Sequence, residues 1–237
     1  SAVIGGGAAI KSVRTFKNKI LKVAAHLFNT DPNNIQIEDG IISSLNTNKS
    51  INFSELAKSV YSDMETLPVE LRESLNATES YDPIYGATTT ATHIALVEID
   101  KQTFNIKVLK YIVSEDCGKV INPLIVDGQV HGGVAQGIGV ALLEELNYDE
   151  EGQLTTANLV DYKIPTASEI PKIDISHLEN FLPDNIGKFK GMGEGGTIGA
   201  PAAIANAVAD ALSEYQIEIN ELPINQERIY HLLKNKL

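Results

Sequence analysis

Apolar and polar positions follow two rhythms along the chain, one of three to four residues and one of two. Residues 10–27 show the first rhythm, which predicts a long amphipathic helix. Pro32 cannot continue a helix, so we expect the helix to end before it. The pattern of residues 35–45 predicts a hairpin that turns at Asp39-Gly40. Ser54 is the expected N-cap of a short helix that follows.

The regular pattern stops in the middle of the chain. Residues 62–86 are acidic and rich in turn-forming residues, which predicts a linker or a surface excursion. We therefore expect a helix-plus-hairpin subdomain over 1–61, the linker or excursion over 62–87, and a larger α+β domain over 88–237.

Hydrophobic patterning resumes after this stretch and predicts strands and helices in mixed order. The expected strands cover 88–100, 104–113, 157–164 and 172–179, with loops over 116–122 and 188–199. The expected helices cover 124–146 and 201–212, with a last helix after residue 225. Because hairpins and helices do not alternate as regular βαβ units, the fold class is α+β, with mixed sheets and packed helices.

Composition narrows the possible partners. The 237 residues are 43% hydrophobic and 21% charged, which is typical of a globular protein that buries a core. A net charge of −12 repels phosphate backbones, so nucleic acid is not an expected partner. No window approaches 18 uncharged apolar residues, so we expect no membrane span.

Cysteine and histidine usage excludes several site types. Cys117 is the single cysteine, and the five histidines are widely separated, so no local zinc motif or disulfide framework is present. The start of the chain lacks both Met and a signal-peptide pattern. We therefore expect a cytoplasmic location and a chain that was processed or cut from something longer.

The densest chemical signal is the segment Gly191-Met192-Gly193-Glu194-Gly195-Gly196, followed by Gly199-Ala200-Pro201. It satisfies G-x-G-x-x-G, but the preceding residues 186–190 make a poor strand, so the dinucleotide fingerprint is weakly supported. Glycines and the following helix suit an anion, whereas Glu194 suits a general base beside a bound ligand. The alternative is a tight turn whose glutamate caps a helix.

A second signal runs from Asp127-Gly128-Gln129 through Gln136 to Gly139. Five glycines in a predicted helix are costly, at about 0.8–1 kcal/mol each relative to alanine, so close packing or a ligand must compensate. Gln129 and Gln136 are two turns apart, so they share one helix face and can bind a pterin or nucleotide edge. The alternative is a small-residue packing face with exposed amides.

Two further segments carry weaker signals. Asp116-Cys117-Gly118 and Asn122-Pro123 read as a turn, and a lone cysteine is more often packing than nucleophile. The run Gly5-Gly6-Gly7 enters the first predicted helix and could cradle an anion, although Ile10 breaks the P-loop pattern. No G-x-S-x-G motif supports a hydrolase.

These segments together, in this order, resemble the C-terminal part of the molybdenum-binding large subunit of the xanthine oxidase (molybdenum hydroxylase) family. The resemblance is strongest to carbon monoxide dehydrogenase-like and aldehyde dehydrogenase-like large subunits. The strand-like segment from Thr92 to Asp100 resembles the strand before the family's Asp-Cys-Gly loop. The resemblance covers essentially the whole chain and is most specific over residues 88–213.

The resemblance implies roles for individual residues. Glu194 falls on the catalytic glutamate, which serves as the base that activates a molybdenum-bound hydroxyl. Gly193 lies on the cofactor-contacting loop, and Gln136 falls on the helix glutamine that contacts the cofactor. Further implied cofactor contacts are Ser1, Ala2 and Val3 near the pyrophosphate or nucleotide, and Asp116, Cys117, Ile121 and Asn122 near the nucleotide tail. No residue of this chain is implied as a metal ligand.

The implied cofactor is molybdopterin with molybdenum, as the cytosine dinucleotide. The implied reaction is oxidation of an aldehyde, carbon monoxide or a heterocycle, with iron–sulfur clusters and FAD on partner subunits. The family's large subunit is several times longer, so an upstream half would supply the other cleft wall and the substrate pocket. The chain alone is therefore expected to be inactive. Two alternatives are a non-catalytic cofactor-binding or assembly module and a generic nucleotide-binding domain.

Overall fold

The computed structural model describes residues 2–83, 88–183, 185–234 and 236. Its internal contacts divide the chain into two compact units, one up to residue 84 and one from residue 85 onward. Helices and two separate three-stranded sheets make up the two units, which confirms the α+β prediction. None of the described helices is long and apolar enough to cross a lipid bilayer.

The first unit begins with a long helix, α1 (Ala2–Phe28), which starts eight residues earlier than the predicted 10–27. The glycine run lies inside this helix, so the predicted anion cradle at a helix entrance is wrong. Packing explains one of these glycines. A Cβ on Gly7 would overlap the ring of Tyr81, so only glycine lets the ring lie against the helix.

A small antiparallel sheet and a second helix complete the core of this unit. The predicted hairpin is confirmed as β1 (Ile35–Glu38) and β2 (Ile41–Ser44), and β3 (Ser50–Asn52) adds to its edge. Helix α2 (Phe53–Tyr61) is capped by Asn52, whose side chain accepts from Glu55 N, while Glu55 binds the Asn52 amide in return. The predicted Ser54 cap is therefore wrong, because the reciprocal capping box selects Asn52.

The acidic stretch after α2 contains two 3₁₀ turns, Met64–Thr66 and Val69–Leu71. Leu67 is buried in the core that α1 and the sheet share. Farther along, Thr15 on α1 donates a hydrogen bond of 2.8 Å to Glu79. Residues 62–83 thus return along α1, and the domain boundaries 1–61, 62–87 and 88–237 stay a prediction.

The second unit contains a mixed sheet. Strands β4 (Thr90–Ile99) and β5 (Ile106–Asp116) pair antiparallel, and β6 (Ile173–Leu178) joins β5 in parallel. The strand predicted over 157–164 is wrong. The Asn158 side chain accepts from the amides of Val160 and Asp161, which makes this segment a turn, and Leu159 and Val160 are exposed.

Helices cover this sheet. They are α3 (Pro123–Leu142), the four-residue α4 (Gly195–Ile198), α5 (Ala200–Ala211) and α6 (Gln226–Leu233). The helix starts follow the predicted rules, since proline lies in the first turn of α3 and α5. The core between sheet and helices contains Tyr111, Val113, Val130, Val134, Ile138, Ile204 and Val208.

Candidate functional site

Glu194 lies at the N-terminal end of α4, at the tip of the glycine-rich loop, and is exposed. Its main-chain carbonyl accepts hydrogen bonds from the amides of Thr197 and Ile198. Its side chain makes no capping hydrogen bond to the helix, which argues against the alternative of a simple helix cap. The carboxylate therefore faces outward, where a ligand can reach it.

Two glutamines of α3 contact the loop on either side of Glu194. The Gln129 amide nitrogen donates to the Gly193 carbonyl at 3.4 Å. The Thr197 hydroxyl lies 3.1 Å from Gln136 Oε1 and 3.2 Å from the Gly133 carbonyl. The structure thus brings Gln136 close to the loop that contains Gly193 and Glu194, although Gln136 is distant from that loop in sequence. Both glutamines are exposed on this side of the helix.

Close packing accounts for some of the glycines in α3. A Cβ on Gly133 would lie 2.8 Å from backbone atoms of Gly196, and a Cβ on Gly137 would overlap Ala200. These positions let α3 cross α4 and α5 at backbone contact, so the glycine cost is offset by packing. Gly128 and Gly132 are different, because nothing lies within 4 Å of an added Cβ at either position. The two predicted explanations, packing and open space for a ligand, therefore apply to different glycines.

The loop that contains Asp116 and Cys117 is tied to the segment just before Glu194. Lys190 donates its amide to the Cys117 carbonyl at 2.9 Å, and Lys119 donates its amide to the Lys188 carbonyl at 2.7 Å. Gly118 adopts a φ of +66° and lies so close to the Lys188 carbonyl that a Cβ there would overlap it. This position therefore requires glycine on two grounds.

A buried ion pair strengthens the same junction. Lys190 Nζ lies 2.6 Å from Asp116 Oδ2, and Asn180 and the Gly118 amide also donate to the carboxylate. Burial alone would raise the pKa of Asp116, but these hydrogen bonds outweigh it and lower the pKa to about 2. The Asp116 carboxylate is thus satisfied within the chain.

The other predicted cofactor contacts lie in different surroundings. Cys117 is buried, and burial raises the pKa of its thiol, with a further rise from the Glu115 carboxylate. Ile121 is exposed, and Asn122 caps α3 by accepting from the Ile125 amide. Ala2 and Val3 begin α1 in the first unit. Ser1 lies outside the described residues.

Several residues around the loop were not predicted. Glu115 and His177 are direct cross-strand neighbours on β5 and β6, and His177 also contacts Asp127 on α3. His93 on β4 contacts the Gly195 carbonyl. The available signal was a glutamate at the end of an apolar strand and a histidine inside another predicted strand. Within the described residues, no group of three or more His, Cys, Asp or Glu is arranged to hold a metal ion.

Most of the chain matches a known protein family. A model of the molybdopterin cofactor-binding domain matches residues 1–171. The chain therefore belongs to the molybdopterin cofactor-binding domain family of the molybdenum hydroxylases, as the motif resemblance predicted.

Individual relatives agree with this assignment. The chain is 37% identical to the nicotine 6-hydroxylase large subunit of Paenarthrobacter nicotinovorans, over 99% of this chain and 29% of the relative. It is 29% identical to the carbon monoxide dehydrogenase large chain of Hydrogenophaga pseudoflava, again over 99% and 29%. The chain thus spans less than a third of the length of these relatives.

Solved structures show the same fold. Quinoline 2-oxidoreductase from Pseudomonas putida 86 matches with a TM-score of 0.83 and 40% identity, over 93% of this chain and 28% of that chain. Reconstituted CO dehydrogenase from Oligotropha carboxidovorans matches with a TM-score of 0.84 and 28% identity, over 97% and 28%.

Proposed function

We propose that this chain forms the C-terminal part of the molybdenum-binding large subunit of a hydroxylase or dehydrogenase, with Glu194 as the catalytic base. The observation that carries the proposal is the position of Glu194. Its carboxylate is exposed at the tip of a loop whose flanks are held by Gln129, Thr197 and the buried Asp116–Lys190 pair. A base needs this combination of an accessible carboxylate and a fixed backbone.

The surface beside Glu194 suits a large polar cofactor. The open glycines Gly128 and Gly132 leave room on α3, and Gly193 is likewise open. Gln129 and Gln136 add exposed amides that donate and accept, without a competing charge. We assign contacts with the cofactor to Gln136 and Gly193. The proposed cofactor is molybdopterin with molybdenum, as the cytosine dinucleotide. The remaining proposed contacts are Ser1, Ala2, Val3, Asp116, Cys117, Ile121 and Asn122.

When bound, the molybdenum cofactor supplies the redox chemistry of the substrate's oxidation. The role of the chain is to hold the proton-accepting group in place. Glu194 accepts one proton at its carboxylate, while α3 and the Asp116–Lys190 pair restrain the loop on both sides of it. Among aldehydes, carbon monoxide and heterocycles, we favour heterocycles, because nicotine and quinoline in the names of two relatives are nitrogen heterocycles.

We propose that the chain carries out this function as part of a larger assembly. The chain spans less than a third of its relatives, which are named large subunit and large chain. Leu124 on α3 is 82% exposed, and Ile121, Ile125 and Ile198 are exposed as well. Apolar side chains so near the proposed site suit a surface that further protein covers. The proposed partners are the upstream part of the large subunit, an iron–sulfur subunit and a flavin subunit. The proposed location of this assembly is the cytoplasm. The proposal implies that the isolated chain is inactive.

The test compares Glu194→Gln with Glu227→Gln in the assembled complex. Glu227 is an exposed glutamate on α6 and serves as the matched control. We expect Glu194→Gln to lower turnover by about 100-fold or more, with molybdenum and nucleotide content unchanged, while the control keeps its turnover. Unchanged turnover in Glu194→Gln would overturn the proposal. Full cofactor content with no turnover in any assembly would instead favour a non-catalytic cofactor-binding module.

A further inference from the structure

Gly195, the residue after Glu194, is held by a histidine on one side. Its carbonyl lies 3.0 Å from His93 Nε2, and a carbonyl only accepts, so Nε2 carries the proton. His93 Nδ1 then accepts from the hydroxyl of Tyr111, also at 3.0 Å. Burial lowers the pKa of His93, which agrees with a neutral ring in this arrangement.

The other side of Gly195 faces a buried carboxylate. Glu115 is 1% exposed, and its Oε2 lies 3.3 Å from the position that a Cβ on Gly195 would take. Among the described residues, Oε2 has no hydrogen-bond partner. The second oxygen, Oε1, lies 2.9 Å from His177 Nδ1. A buried carboxylate thus lies beside Gly195, the residue after the proposed base, and packs against it without a hydrogen bond.

His177 connects this carboxylate to helix α3. Its Nε2 lies 2.7 Å from Asp127 Oδ1, so each ring nitrogen faces a carboxylate oxygen. Burial raises the pKa of Glu115, and the charge of His177 opposes that rise. The His177 ring therefore joins strands β5 and β6 to helix α3.

We propose that Glu115, His177 and Asp127 form a positioning network that holds Gly195, and through it Glu194, against helix α3. The three residues act by packing: Glu115 lies beside Gly195, and none of the hydrogen bonds described for the three includes Glu194. The inference rests on the proposed function of Glu194. The contact geometry itself is independent of that function, so the two can be tested separately.

The most informative variants are at Asp127, whose side chain is 46% exposed and can be changed without leaving a cavity in the core. Asp127→Ala removes the acceptor for His177 Nε2, whereas Asp127→Asn keeps an oxygen that can accept. His177→Phe keeps a ring but removes both ring nitrogens. The control is His131→Ala, because His131 is exposed on the same helix and its ring contacts only the Asp127 main chain among the contacts described.

The readout is hydrogen–deuterium exchange in the assembled complex, followed by mass spectrometry on peptides that cover residues 190–198. We expect Asp127→Ala and His177→Phe to speed exchange in these peptides by about tenfold or more, because each loses a hydrogen bond that ties the Glu115 carboxylate beside Gly195 to helix α3. We expect Asp127→Asn and His131→Ala to match the unmodified protein. For Asp127→Ala and His177→Phe, we expect a lower kcat with little change in KM. Their molybdenum content should be unchanged.

Three results would overturn the proposal. One is unchanged exchange in 190–198 for Asp127→Ala. Another is equal acceleration in the β4–β5 peptides, which would indicate general loosening. The third is an Asp127→Asn variant as disturbed as Asp127→Ala. Exchange does not depend on turnover, so a Glu194→Gln variant that stayed active would contradict the proposed function while leaving this measurement interpretable.

Discussion

Lys190 and Asp116 form an ion pair of 2.6 Å whose two side chains are 8% and 6% exposed. The pair joins the end of β5 to the segment that leads into Glu194, across 74 positions of sequence. Because both side chains are buried, removing one leaves the charge of the other without a partner, and water cannot take the missing place. Its effects on stability can therefore be predicted.

Lys190→Met should leave the Asp116 carboxylate buried without its cation. We expect the free energy of unfolding to fall by about 3–5 kcal/mol, whereas the control Lys172→Met should change it by less than about 1 kcal/mol. Lys172 suits the control because it is paired with Asp174 but 84% exposed. Urea denaturation measures both variants. Similar losses for the two would show that burial of the Asp116 pair is unimportant.

The same carboxylate makes a contribution to acid stability. The pKa of Asp116 is lowered to about 2 in the folded chain, below its unfolded value of about 3.9. The stabilisation is therefore fully present above about pH 4 and is lost as the pH falls towards 2. The check is the urea midpoint between pH 5 and pH 2, which should fall less steeply for Asp116→Asn. Parallel curves would contradict the assigned pKa.

The glycines of α3 give a pair of adjacent substitutions with opposite expected effects. Gly133→Ala places a methyl 2.8 Å from the Gly196 backbone and should destabilise the fold by about 1–3 kcal/mol. Gly132→Ala meets nothing within 4 Å and should stabilise it by up to about 1 kcal/mol, through helix propensity. Thermal unfolding of the chain distinguishes them. A loss of stability in Gly132→Ala as large as that in Gly133→Ala would refute the packing argument.

The start of α2 allows a test in the first unit. Asn52→Ala removes the side-chain oxygen that accepts from the Glu55 amide, while the backbone amide of residue 52 still donates to Glu55, and should cost about 1 kcal/mol. Ser54→Ala, at an exposed position inside the helix, should stay within about 0.5 kcal/mol. The measurement is the unfolding free energy of each variant in urea. A larger cost for Ser54→Ala would restore serine as the cap.

The sequence correctly predicted the elements that are determined by interactions between residues close together in the chain. The hairpin around Asp39-Gly40 is one, since both residues take a positive φ that their types tolerate. The helix after Asn225 is another, because Asn225 accepts from the Arg228 amide three residues on. The strand predicted over 157–164 is wrong because the Asn158 side chain accepts from the amides of Val160 and Asp161 and so forms a turn.

The sequence by itself determined the fold class, most of the helices and strands, and the identity of the loop that contains Glu194. These features follow from periodicity, turn chemistry and motif order within short segments. Only the tertiary structure decided what holds that loop. The pairs Lys190 with Asp116, Gln129 with Gly193, and His177 with Glu115 and Asp127 join residues 50 to 74 positions apart. Sequence spacing carries no information on such pairs, because their separation is set by how strands and helices pack.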